Sequence, residues 1–82
     1  MDRRLTPANA RVALDTLCGI IDAPRFTGGE PAQVARPLVD LLRAPAGLRE
    51  RQLLLGDAVT VIDREAGWAF VQAAKDGYCG YL

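Results

Sequence analysis

From Gln52 to Leu82 the chain alternates short apolar runs with turn-forming residues about every ten positions, a rhythm that few folds accept. Gln52-Leu53-Leu54-Leu55 ends at Gly56-Asp57. Val59-Thr60-Val61-Ile62-Asp63 carries the strongest strand signal, because β-branched residues dominate it. Glu65-Ala66-Gly67 turns the chain into Trp68-Ala69-Phe70-Val71-Gln72-Ala73. Lys75-Asp76-Gly77 predicts a hairpin turn, where Asp-Gly supplies positive φ, and Tyr78–Leu82 forms a last strand. Upstream, Gln33–Leu42 holds one or two short extended pieces, with Pro37 confined to an edge or bulge because it lacks a backbone donor. Ala44-Pro45-Ala46-Gly47 reads as a loop. So few residues with so many strands predict a small, mainly β barrel over 34–82.

Residues 1–33 read as a leader. Thr6-Pro7 is a helix-start signal, and Leu5, Ala8, Val12 and Leu17 recur at helical spacing. One short helix near 7–17, stopped at Gly19, is the expectation. Ala23-Pro24 and Gly28-Gly29-Glu30-Pro31 are breakers, so 22–33 is expected to be mostly loop. The chain stops at Leu82 inside a strand-like run, which suggests a piece of a longer protein whose bared edge strand favours self-association.

Composition removes several functions. The 82 residues include no histidine, so Ser-His-Asp and Cys-His catalysis and ordinary zinc sites have no complete residue set here. No catalytic residue, metal or cofactor is therefore expected. Ten basic and ten acidic residues cancel, giving no pull toward nucleic acid or an anionic membrane. No apolar run approaches the ~20 residues of a membrane span. The start, Met-Asp-Arg-Arg, is not followed by an apolar signal segment, so a cytoplasmic location is expected. Cys18 and Cys79 read as reduced, packed thiols.

Four pieces then occur in order: Pro37-Leu38-Val39-Asp40-Leu41-Leu42-Arg43-Ala44-Pro45, Gln52-Leu53-Leu54-Leu55-Gly56-Asp57, Gly67-Trp68, and Asp76-Gly77-Tyr78-Cys79-Gly80-Tyr81. This series resembles the N-terminal bacterial SH3 domain of NlpC-type cysteine peptidases. The leader, with Asp22-Ala23-Pro24-Arg25-Phe26, is similar to the segment before that domain in dipeptide-releasing members. The resemblance implies an SH3-like barrel preceding a C-terminal papain-like catalytic domain. It implies a γ-D-glutamyl–diamino-acid endopeptidase that cuts peptidoglycan stem peptides, with a muropeptide as substrate. In such enzymes the SH3 domain restricts the cleft, and an acid and a tyrosine help hold the free amino end.

Carried over by position, those residues are Asp57 and Tyr78. A free ammonium needs an anionic acceptor, and such charge-assisted bonds are strong. Asp57 stands where the family more often has Glu, one methylene longer. Its plain alternative role is to cap a tight turn. For Tyr78 the alternative is packing among strand neighbours. Trp68 and Tyr81 could mark a ligand groove; core packing for Trp68, and packing against the leader or a further domain for Tyr81, are the competing roles. Arg43, Arg49 and Arg51 are interrupted by Glu50 and read as a solvated loop. A peptidoglycan-targeting module and a structural or assembly domain are the rival functions.

Overall fold

The computed structural model describes residues 3–45 and 47–82, so Ala46 of the expected loop lies outside the described residues. Eight strands follow one another: β1 (Ala13–Leu14), β2 (Phe26–Thr27), β3 (Glu30–Gln33), β4 (Leu38–Leu42), β5 (Arg49–Leu54), β6 (Ala58–Glu65), β7 (Trp68–Ala73) and β8 (Cys79–Tyr81). β1 and β2 form a small parallel pair. The others make one antiparallel sheet in the order β3-β6-β7-β8-β4-β5. The fold is mainly β, as the spacing of apolar runs and turns predicts.

The sheet curls because its ends are tied together. Val34 donates its N–H to the Asp57 carbonyl, Gly56 donates to the Val34 carbonyl, and Leu55 donates to the Pro37 carbonyl. The interior is then filled from every side by Val34, Leu41, Leu53, Val59, Val61, Val71, Ala73 and Tyr78. Leu41 and Val71 are fully buried. Alternation along β7 sends Val71 and Ala73 into this core and Phe70 to the opposite face.

That opposite face carries a second core. Phe70, Ile62 and Cys79 pack there against Val12 and Leu14 of the N-terminal segment, with Tyr81 at the margin. Alternation along β6 turns Val59 and Val61 to one core and Ile62 to the other, and the pairing with β7 shifts register between Val61 and Asp63.

The N-terminal segment departs from the helix expected near 7–17. It contains one-turn 3₁₀ helices at Arg3–Leu5 and Asp15–Leu17, with a turn at Asn9–Val12 and the short strand β1 between them. Two causes are visible. Asn9 Oδ1 accepts the backbone N–H groups of Arg11 and Val12, a local turn that competes with helical bonds. Val12, Ala13 and Leu14 are also buried consecutively, which a one-faced helix cannot arrange.

The expected loop 22–33 also proves to contain strands. Glu30–Gln33 pairs with β6, and Pro31 is tolerated opposite Thr60 because β3 is an edge strand. The later strands form where the sequence reading expects them, except that Arg49 and Arg51, read as a solvated loop, belong to β5 and pair with β4. The β6–β7 turn has Ala66 at φ 52° and Gly67 at φ 82°, the double positive φ of a tight hairpin turn. No helix among the described residues is long and apolar enough to cross a membrane.

Candidate functional site

The turn from Ala74 to Gly77 organises one end of the barrel. Gly77 donates its N–H to the Ala73 carbonyl, and Gln72 Nε2 donates to the Gly77 carbonyl at 3.1 Å. Asp76 Oδ1 accepts the Tyr78 backbone N–H at 3.0 Å. Lys75 and Asp76 are thereby presented side by side, and each reaches one of the residues expected to bind ligand.

Lys75 Nζ lies 3.0 Å from Asp57 Oδ2. The same oxygen accepts the Leu54 backbone N–H at 2.8 Å, and the Asp57 N–H donates back to the Leu54 carbonyl. Asp57 thus caps the β5–β6 turn, the structural role weighed for it. The Leu54 N–H first, then Lys75, hold its carboxyl below the ordinary aspartate range. Asp57 is a carboxylate near neutrality, and its Oδ1 has no partner among the described residues.

Tyr78 belongs to the interior core and is only 9% exposed. The Arg51 guanidinium carbon stands 4.5 Å above its ring centroid. Arg51 Nη1 also lies 3.3 Å from Asp76 Oδ2. Tyr78, Asp76 and Arg51 share a cleft of about 220 Å³ with Arg4 and Leu5. Asp57 does not line it. Asp57 is joined to the Ala74–Gly77 turn through Lys75, but the acid placed in the cleft beside Tyr78 is Asp76.

Trp68 and Tyr81 meet at a different cleft, also about 220 Å³, on the leader side of the sheet. Phe70 joins them, its ring centroid 5.0 Å from that of Tyr81 at an interplanar angle of 41°. The Tyr81 hydroxyl accepts a hydrogen bond from Asn9 Nδ2 at 3.2 Å. Tyr81 therefore contacts the leader while also walling the cleft.

Asp63 is the residue that sequence reasoning passed over. Its side chain is 5% exposed and closes the strongest strand signal of the chain, so alternation gave no reason to single it out. Arg11 grips it with Nε 2.9 Å from Oδ2, Asn9 Nδ2 lies 3.3 Å from the same oxygen, and Arg25 stands 3.7 Å from Oδ1. Arg11 also pairs with Glu65. The lone acid ending an apolar run was the available signal; Asn9 and Arg11 had none.

Cys79 is buried, and desolvation pushes its thiol up to about 11. Its Sγ lies 3.5 Å from the Gly77 carbonyl, and it packs as a small apolar group. Cys18 is exposed, unlike the packed thiol expected there. Among the described residues no group of three or more Cys, Asp or Glu is placed to hold a metal ion.

Residues 41–82, half of the chain, match the family described as the bacterial dipeptidyl-peptidase SH3 domain. The match takes in the end of β4 and all of β5 to β8, and with them the Ala74–Gly77 turn, Asp57, Tyr78, Trp68 and Tyr81. No curated protein and no solved structure gives a significant match.

Proposed function

The chain belongs to the bacterial dipeptidyl-peptidase SH3 domain family, and from that premise we propose that it is the non-catalytic recognition domain of an NlpC-type cysteine peptidase acting on peptidoglycan stem peptides. A C-terminal papain-like domain supplies the chemistry. The SH3-type domain narrows the cleft and helps hold the free N-terminus of the substrate.

The observation that carries this reading is the state of Asp57. It is a carboxylate with one oxygen committed to the turn and Lys75 and the other without a partner among the described residues. An ammonium binds at such an oxygen with a charge-assisted bond. Lys75 approaches on an exposed, flexible side chain and can swing aside for a second cation. The turn that supplies Lys75 also fixes the backbone of Tyr78, through Asp76. A blocked amine would leave the acceptor without its cation and bind less well.

The test is a peptidase assay of the chain joined to its catalytic domain. Asp57→Ala and Tyr78→Phe should each lower kcat/KM on a free-amine tripeptide, by about tenfold for the charged contact. Neither should affect the N-acetylated tripeptide. An unchanged kcat/KM on the free-amine peptide sinks the reading.

The Trp68–Tyr81 cleft favours a second reading, a peptidoglycan-targeting module, because aromatic walls suit stacking on sugars or peptide. A sacculus pull-down with the 82-residue chain separates the two, since the first reading expects no retention.

A further inference from the structure

The cleft beside Tyr78 has a chemistry of its own. Two of the five side chains lining it, Arg4 and Arg51, are cationic, and one, Asp76, is anionic. Asp76 is already committed: Oδ1 accepts the Tyr78 N–H, and Oδ2 faces Arg51 Nη1. Arg51 is committed only in part. The Tyr78 ring lies under its Cζ, and Asp76 faces one terminal nitrogen. The Arg51 side chain remains 51% exposed, and its Nε and Nη2 have no partner among the described residues.

A guanidinium stacked on a ring and pinned at one nitrogen is pre-oriented. Its free N–H groups need no further ordering to meet a planar, two-oxygen acceptor, so less entropy is lost on binding. The geometry points to this cleft as a binding site for a carboxylate, held bidentately by Arg51. The ligand class is the α-carboxylate of a small amino-acid or peptide end. Leu5, 53% exposed at the same cleft, offers its short apolar side chain a surface. Asp57 in the β5–β6 turn and Arg51 in β5 each contact the Ala74–Gly77 turn, through Lys75 and Asp76, so that end of the barrel presents an acid and a base to the two ends of a zwitterionic peptide. The carboxylate site does not depend on the amine-binding reading, because it needs neither Asp57 nor a catalytic domain.

The experiment is an NMR titration of the 82-residue chain at constant ionic strength, following the Arg51 Nε–H, the Tyr78 ring and the Gly77 amide. The probes are N-acetyl-alanine and N-acetyl-alanine amide, which differ only in the carboxylate. The acid should give saturable shifts at all three groups, and the amide none. Arg51→Gln should weaken binding of the acid about tenfold or more, since it removes a charge-assisted pair of bonds. Arg51→Lys keeps the charge without the fork and should fall between Arg51→Gln and the unaltered chain. Unchanged Cys79 and Phe70 signals verify that both variants keep the fold. Equal shifts with the amide, no saturable shift with the acid, undiminished binding in Arg51→Gln, or full affinity in Arg51→Lys would each overturn the assignment.

Discussion

Arg11 Nε stands 2.9 Å from Oδ2 of Asp63, joining a residue of the N-terminal segment to the middle of the longest strand. The carboxylate is almost wholly shielded from water, while the guanidinium is about half exposed. Removing Arg11 therefore leaves a buried charge with weaker partners, and that penalty exceeds the loss of a surface ion pair. Arg11→Ala is expected to lower stability by about 2 kcal/mol, measured by urea unfolding. A cycle with Asp63→Ala should show coupling of about 1 kcal/mol or more. Additive effects would mean that the pair does not anchor the segment.

Asp57 provides a prediction in pH. Its folded-state pKa lies below its unfolded value, so it contributes stability above the unfolded pKa of about 3.9. That contribution is lost as pH falls through the folded pKa. Lys75→Met should move the Asp57 titration only part of the way back, because the Leu54 N–H is the larger cause and remains. Carboxyl NMR titration checks this. A full return to the ordinary value would make Lys75 the dominant partner.

Gly80 sits where β8 crosses close to β4. A Cβ there would lie 2.7 Å from the Leu42 carbonyl oxygen and 2.8 Å from Leu41 Cγ. The first of these is backbone and cannot rotate away. Gly80→Ala should destabilise the fold by about 1–3 kcal/mol, visible as a lower urea midpoint with an unchanged slope. An unaltered midpoint would show that β8 and β4 can separate at no cost.

The two cysteines should behave differently. Cys18 is exposed and should react with a maleimide or disulfide reagent in the folded chain, whereas buried Cys79 should react only on unfolding. Cys79 also links stability to alkaline pH. Its folded pKa, about 11, lies above the unfolded value, so its contribution is intact below about pH 8.5. It declines as pH rises through about 11. Cys79→Ala should flatten that part of the profile. Equal labelling rates for both thiols in the folded chain would contradict the packing.

Contiguous residues encode the barrel half of the fold. The runs Val59–Asp63 and Trp68–Ala73, the Asp76-Gly77 turn and the Gly56-Asp57 turn each carry their own backbone preference, and each forms where it was expected. Neighbouring strands joined by tight turns leave little freedom in register, so the barrel half was legible. The N-terminal half was not. Its helical spacing was overridden by Asn9 turning the chain and by an apolar face on β6–β8 that needed covering. Long-range packing is what adds Glu30–Gln33 to the sheet, brings Asn9 and Arg11 to Asp63, and sets Arg51 over Tyr78 beside Asp76. These contacts join residues far apart in the chain, and polar pairing at a distance leaves no local periodic trace. Asp57 and Tyr78 are named by the motif, but the folded Ala74–Gly77 turn brings Lys75 to one and Asp76 to the other, while β5 brings Arg51 over the Tyr78 ring.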